Sequence, residues 1–128
     1  MTDQNTFKLE NVAPVFQVAD IKRALGYYSD KLLFSTDFEW SNSENEPVNY
    51  AIVLQGDTEL HLTPNKEPHE RVAYFFVRNV QAFHEAVKAK GADITRGITD
   101  LPWQMREFEV TDPDGNRLIF GEHLSPAA

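Results

Sequence analysis

The sequence contains no cysteine, which excludes a disulfide framework, a thiolate metal site and a cysteine nucleophile. It also lacks any apolar run approaching the ~18 residues of a membrane span. Its opening, Met1-Thr2-Asp3-Gln4-Asn5, has neither the basic region nor the apolar region of a secretion signal. A soluble cytoplasmic protein without a membrane partner is the expectation. Cations are scarce: 12 Lys and Arg stand against 20 Asp and Glu, for a net charge of −8. Such a surface does not suit a nucleic-acid backbone, whose binding depends on cations that displace counterions. No Gly-rich phosphate loop precedes a helix, and no Gly-x-Ser-x-Gly elbow is present.

What is present is unevenly placed. Between Lys31 and Lys66 there is no Lys or Arg, while Asp37, Glu39, Glu44, Glu46, Asp57 and Glu59 all fall there with Phe34, Phe38, Trp40 and Tyr50. Carboxylates interleaved with aromatic rings suit a flat cationic ligand, through steering and cation–π contact. A solvated acidic face that maintains solubility is the plainer account of the same residues. The length of 128 residues fits one domain with a substantial core.

Local patterns give a repeated order of elements. Val12 to Val18 reads as a strand, with Pro14 near its start. Asp20 caps a helix whose apolar face is Ile21, Ala24, Leu25, Tyr28 and Leu32. Phe34 to Trp40, Val48 to Leu54 and Thr58 to Thr63 read as strands, with Gln55-Gly56-Asp57 turning the chain between the last two. Arg71 to Val77 then begins the order again: Asn79 caps a helix carrying Val80, Phe83 and Val87, and Gly91 ends it. Ala92 to Arg96, Gln104 to Thr111 and Asn116 to Glu122 follow as strands. Val18-Ala19-Asp20-Ile21 matches Val77-Arg78-Asn79-Val80, and Glu59-Leu60-His61-Leu62 matches Arg117-Leu118-Ile119-Phe120. The fold class is therefore α+β, with two βαβββ modules at about residues 7–65 and 71–123. Lys66-Glu67-Pro68-His69-Glu70 links them within a single domain of residues 1–128. One such module cannot cover both faces of its sheet, so two should pack into a curved eight-strand sheet with a concave cleft and helices outside.

The second module ends in a hairpin. Asp112-Pro113-Asp114-Gly115-Asn116 places Pro where φ near −65° is wanted and Gly where φ can be positive. This string, with Pro102-Trp103 and Arg106-Glu107-Phe108 before it, resembles the C-terminal hairpin of the vicinal oxygen chelate superfamily, and within it the bleomycin resistance branch. The resemblance runs from about Val12 to His123. Metal-dependent members of this superfamily, glyoxalase I and the extradiol dioxygenases, carry inward His or Glu ligands on the first and last strand of each module. Those positions fall here on Ala13, His61, Val72 and Ile119, of which only His61 could bind a metal. A protein-held divalent ion needs about three suitable ligands. The expectation is no metal and no cofactor, with a shifted site around Glu59, His61 and Glu122 or His123 as the alternative. Of the other histidines, His69 and His84 read as solvent-facing.

The resemblance implies a non-catalytic protein that sequesters a bleomycin-like or other cationic aromatic compound in grooves between the subunits of a homodimer. In that reading, drug binding confers antibiotic resistance by keeping the drug from its metal-dependent attack on DNA. An N-terminal strand, Phe7 to Val12 here, often crosses to the second subunit. A metal-dependent, glyoxalase-like lyase or dioxygenase is the rival reading, and a module that binds a peptide or partner protein is a third. The candidate ligand-binding residues are Phe38, Trp40, Tyr50, His61, Phe75, Trp103 and Arg106, with no catalytic residue. Arg106 would either meet a ligand carboxylate or carbonyl or pair with Glu109. Phe16, Phe76, Phe83, Phe108 and Phe120 read as core.

Overall fold

A computed structural model describes residues 6–125; the Met1–Asn5 opening, read above as carrying no secretion signal, lies outside them. Its elements are β1 (Val15–Val18), α1 (Ile21–Asp30), β2 (Ser35–Ser41), β3 (Val48–Gln55), β4 (Thr58–Pro64), β5 (Val72–Phe76), α2 (Val80–Ala89), β6 (Ile94–Leu101), β7 (Met105–Thr111) and β8 (Arg117–His123). No helix among the described residues is long and apolar enough to cross a membrane.

The eight strands divide into two mixed sheets of four, ordered β1-β4-β3-β2 and β5-β8-β7-β6. In each, the first strand pairs in parallel with the last, Val15 opposite His61 and Tyr74 opposite Ile119. This is the two-module α+β architecture expected from the repeat. The two sheets approach each other where the segment leading into β1 faces β5, with Val12 and Pro14 lining a cleft of about 380 Å³ against Ala73, Tyr74 and Phe76. Strands β2 and β6 are therefore the outermost edges.

Both helices begin as their caps dictate. Asp20 accepts the Arg23 N–H and Asn79 accepts the Ala82 N–H, each satisfying an orphan donor of the first turn. Gly91, at φ 86°, takes the left-handed conformation that stops α2. The apolar face of α1 (Ile21, Ala24, Leu25, Tyr28) buries against Ala51, Val53, Leu60 and Leu62. α2 lays Val80, Phe83 and Val87 on Phe108, Val110, Leu118 and Phe120.

Three expectations change. Phe76 is 80% exposed rather than core, because Phe75 takes the helix-facing position and its neighbour must point away. His84 is not solvent-facing: its imidazole packs edge-on against Phe108 at 5.0 Å, with the side chain 12% exposed. β6 begins at Ile94 but continues to Leu101, well beyond Arg96, so Pro102 and Trp103 form the turn into β7.

The Asp112–Asn116 turn also joins the modules. Asp114 accepts the Ala19 N–H at 3.0 Å and Arg23 at 2.9 Å. The Tyr28 hydroxyl donates to Asp112 at 2.7 Å, and Asn116 Nδ2 donates to the Gln17 carbonyl at 2.8 Å. Burial pushes the Tyr28 hydroxyl well above its ordinary range and raises the Asp112 carboxyl despite its hydrogen bonds.

Candidate functional site

With the α1-facing side of the first sheet filled by Ala51, Val53, Leu60 and Leu62, the alternate residues lie on the open face. Cross-strand register assembles them into rows. Trp40 stands opposite Tyr50, Phe38 opposite Ile52, and Ile52 opposite His61. Phe38 and Trp40 remain 43% and 53% exposed, forming an uncovered aromatic wall on the outer strand. The acidic residues that precede and follow this wall are exposed as well.

His61 is held on both sides. Glu59 accepts from Nε2 at 2.8 Å, which places the proton there, so in the neutral ring Nδ1 accepts from the Tyr50 hydroxyl. The Tyr50 and His61 rings are nearly perpendicular, 5.5 Å apart. The trio fixes a polar base beneath the aromatic wall.

The open face of the second sheet has a different chemistry. Glu107, 7% exposed, accepts from the Tyr74 hydroxyl at 2.7 Å and from Arg96 at 2.9 Å, while Glu109 pairs with Arg117 at 3.2 Å. Burial and the adjacent Glu107 push the Tyr74 hydroxyl up to about 12. Its ring lies across Gly121, and any side chain there would overlap the Tyr74 hydroxyl. Gly121→Ala should therefore detach Tyr74 from Glu107 and return its titration toward 10. Ultraviolet titration of wild type and variant checks this; an unchanged alkaline transition would refute it. A raised phenol pKa favours folding below the unfolded value near 10, and that contribution is lost as pH climbs toward 12.

The structure thus groups Phe38, Trp40, Tyr50 and His61, and separates the other three candidates from them. Phe75 faces the helix side, 8% exposed and 5.2 Å from Phe120. Arg106 is also on the helix side of its sheet and binds Asp100 through two contacts, at 2.6 and 3.0 Å, rather than Glu109. Asp100 holds the guanidinium above its ordinary range, and the carboxyl in turn falls below its own. On the open face the cations are Arg96, held by Glu107, and Arg117, held by Glu109. Trp103, 66% exposed, sits in the β6–β7 turn at the opposite outer edge of the protomer from Trp40. Sequence reasoning missed Tyr74 and Arg96, and of the neighbours Arg106 and Glu107, which face opposite sides of the strand, it took Arg106. The one available signal was Gly121 inside an apolar strand, since such a glycine marks a close approach.

The four metal-ligand positions of the superfamily do not fit a metal: Ala13, Val72 and Ile119 offer no donor, and both nitrogens of His61 are engaged. Among the described residues no three His, Asp or Glu side chains converge, and Glu122 is instead tied to the N–H groups of Asn79 and Val80.

Comparison with known proteins agrees with this architecture. Bleomycin resistance proteins of Geobacillus stearothermophilus and Staphylococcus aureus are 24% identical over 132 residues, covering 87% of this chain and 95% of theirs. A glyoxalase-related enzyme from Clostridium phytofermentans superposes with a TM-score of 0.80 at 24% identity, over 94% of this chain and 100% of its own. A bleomycin-binding protein from Streptomyces verticillus, solved with copper(II)-bleomycin, gives 0.72 at 23% identity with the same coverage. Residues 9–120 match the model of the glyoxalase/bleomycin resistance protein/dioxygenase superfamily, and the chain belongs to that family.

Proposed function

We propose that this protein is a non-catalytic binding protein that sequesters a bleomycin-like or other cationic aromatic compound in the cytoplasm. It does so in two grooves between the subunits of a homodimer. The observation that carries this reading is the uncovered wall of Phe38 and Trp40 above Tyr50 and His61, at the opposite edge of the protomer from the exposed Trp103. Two rings so placed cannot sandwich one ligand from a single protomer. A two-fold partner that sets its second sheet against the first sheet of this chain would bring them together. The flat part of the ligand stacks between rings, and the exposed carboxylates of Asp37, Glu44, Glu46 and Asp57 draw its cationic end, while Glu39 is tied to Lys22. The curated relatives are bleomycin resistance proteins, and the Streptomyces protein binds copper(II)-bleomycin. Both support this substrate class.

The arm preceding β1 supports the dimer. Phe7, Leu9 and Val12 are at least three-quarters exposed, an apolar series that a monomer leaves in water. We infer that it crosses to the second subunit. Titrating metal-free bleomycin against tryptophan fluorescence should give saturable quenching with one ligand per protomer. A folded protein whose emission does not respond would remove drug binding as the function. Sedimentation as a monomer at tens of micromolar would remove the intersubunit groove.

A further inference from the structure

The two modules differ at one related place, and the difference leaves a cavity. In the second module, five residues connect β7 to β8, and this turn fills the space beside the start of α1 by bonding Gln17, Ala19, Arg23 and Tyr28. Aligning the two helix caps, Asp20 and Asn79, sets Gln17, Ala19 and Arg23 against Phe76, Arg78 and Ala82. The turn that should latch onto these is only Gly56-Asp57, with Gly56 at φ 60°. Among the described residues, it makes no hydrogen bond to residues 76–82. The space is open instead: a cleft separates Gly56-Asp57 from Phe76-Val77-Arg78, and beside it, sharing Gln55, Thr58 and residues 76–78, lies a cavity of about 460 Å³.

Its interior is aromatic. Phe34, Phe75, Phe83 and Phe120 line it on the helix side of the second sheet, away from the His61 face. Gln55, Thr58 and Asn79 supply polar groups, and Arg78 supplies the single charge of this lining among the described residues, although it also borders the adjoining cleft that holds Asp57, Glu122 and His123. Arg78 forms no ion pair within the described residues. The first N–H groups of α2 are unavailable to an incoming anion, since Glu122 already accepts from Asn79 and Val80 at 3.0 Å. A volume in the ordinary range of small-ligand sites, aromatic walls and one free guanidinium at the rim describe a specific kind of guest. We infer that this cavity is a second ligand site, for a compact monocarboxylate with an aromatic or aliphatic body. The body enters the phenylalanine-lined interior, and the carboxylate meets the planar fork of Arg78. This site is independent of the drug groove, so neither reading depends on the other.

The probe is 2-naphthoate, with uncharged 2-naphthylmethanol beside it, titrated into the full chain by calorimetry and amide NMR. The expected shifts centre on residues 55–58 and 76–82. Arg78→Gln should weaken naphthoate about tenfold or more and leave the alcohol unchanged. Ala82→Trp, at an exposed helix position on the rim, should abolish both while leaving the bleomycin titration unaltered. Shifts centred on Trp40 and His61, or equal naphthoate affinity in Arg78→Gln, would overturn the assignment. So would a fall in sedimentation coefficient in Ala82→Trp, which would identify a second copy as the occupant.

Discussion

Replacing Asp112 with alanine is expected to cost about 3–5 kcal/mol of folding stability and lower the thermal midpoint by roughly 10–15 °C. One carboxylate oxygen accepts the Tyr28 hydroxyl and Asn116 Nδ2, at 2.7 and 3.0 Å; the other accepts the N–H groups of Asp114 and Asn116, both at 2.9 Å. Truncation strands four donors, and Tyr28 and Asn116 are fully buried. Each abandoned buried donor costs about 1–3 kcal/mol, less wherever water reaches it. Asp112→Asn keeps one oxygen for the backbone N–H groups but turns an amide toward Tyr28, so its loss should be smaller. Tyr28→Phe removes a single donor and should cost about 1–2 kcal/mol. Urea unfolding of the three variants tests the order; an Asp112→Ala loss below about 1 kcal/mol would show that the turn does not latch the modules.

Trp40→Ala and Trp103→Ala should each weaken bleomycin binding by about 30-fold or more, the range of an aromatic hot spot. Neither substitution should unfold the protein, since both rings are more than half exposed. The informative experiment is to mix the two variants. If each groove takes Trp40 from one subunit and Trp103 from the other, a mixed dimer contains one native groove and one doubly altered groove. Random reassociation would then restore tight binding in about a quarter of all grooves. A groove built within one protomer would regain nothing on mixing.

The sequence patterns that carried the fold were those with local physical meaning. Caps at Asp20 and Asn79, helical spacing of apolar residues, and Pro and Gly at Asp112–Asn116 each specify backbone geometry within a few residues. Strand faces were legible where apolar and polar residues alternate, as in Glu59-Leu60-His61-Leu62. They were not legible in Val72-Ala73-Tyr74-Phe75-Phe76, where an unbroken apolar run cannot say which ring faces the helix; hence the exposed Phe76 and buried Phe75. Arg106 was misread for a related reason. Its partner Asp100 lies directly across a β6 that extends to Leu101, and cross-strand register depends on where the turn falls. Contacts such as Tyr28 with Asp112, 84 positions apart, leave no local trace. The trio of Tyr74, Arg96 and Glu107, assembled from three strands, is marked only at a distance, by Gly121 beneath the Tyr74 ring.

The placement of β8 also orders events in time. It lies between β5 and β7, so neither strand has its inner partner until residues 117–123 have been synthesised. The first sheet has the same order, with β4 between β1 and β3, but has all four of its strands once Pro64 is made. A nascent chain can close its first half while the second half still holds an unpaired β5 bearing Tyr74 and Phe76. Because strands without partners invite pairing with other chains, the interval between β5 and β8, like that between β1 and β4 before it, is a stretch of synthesis exposed to misassociation.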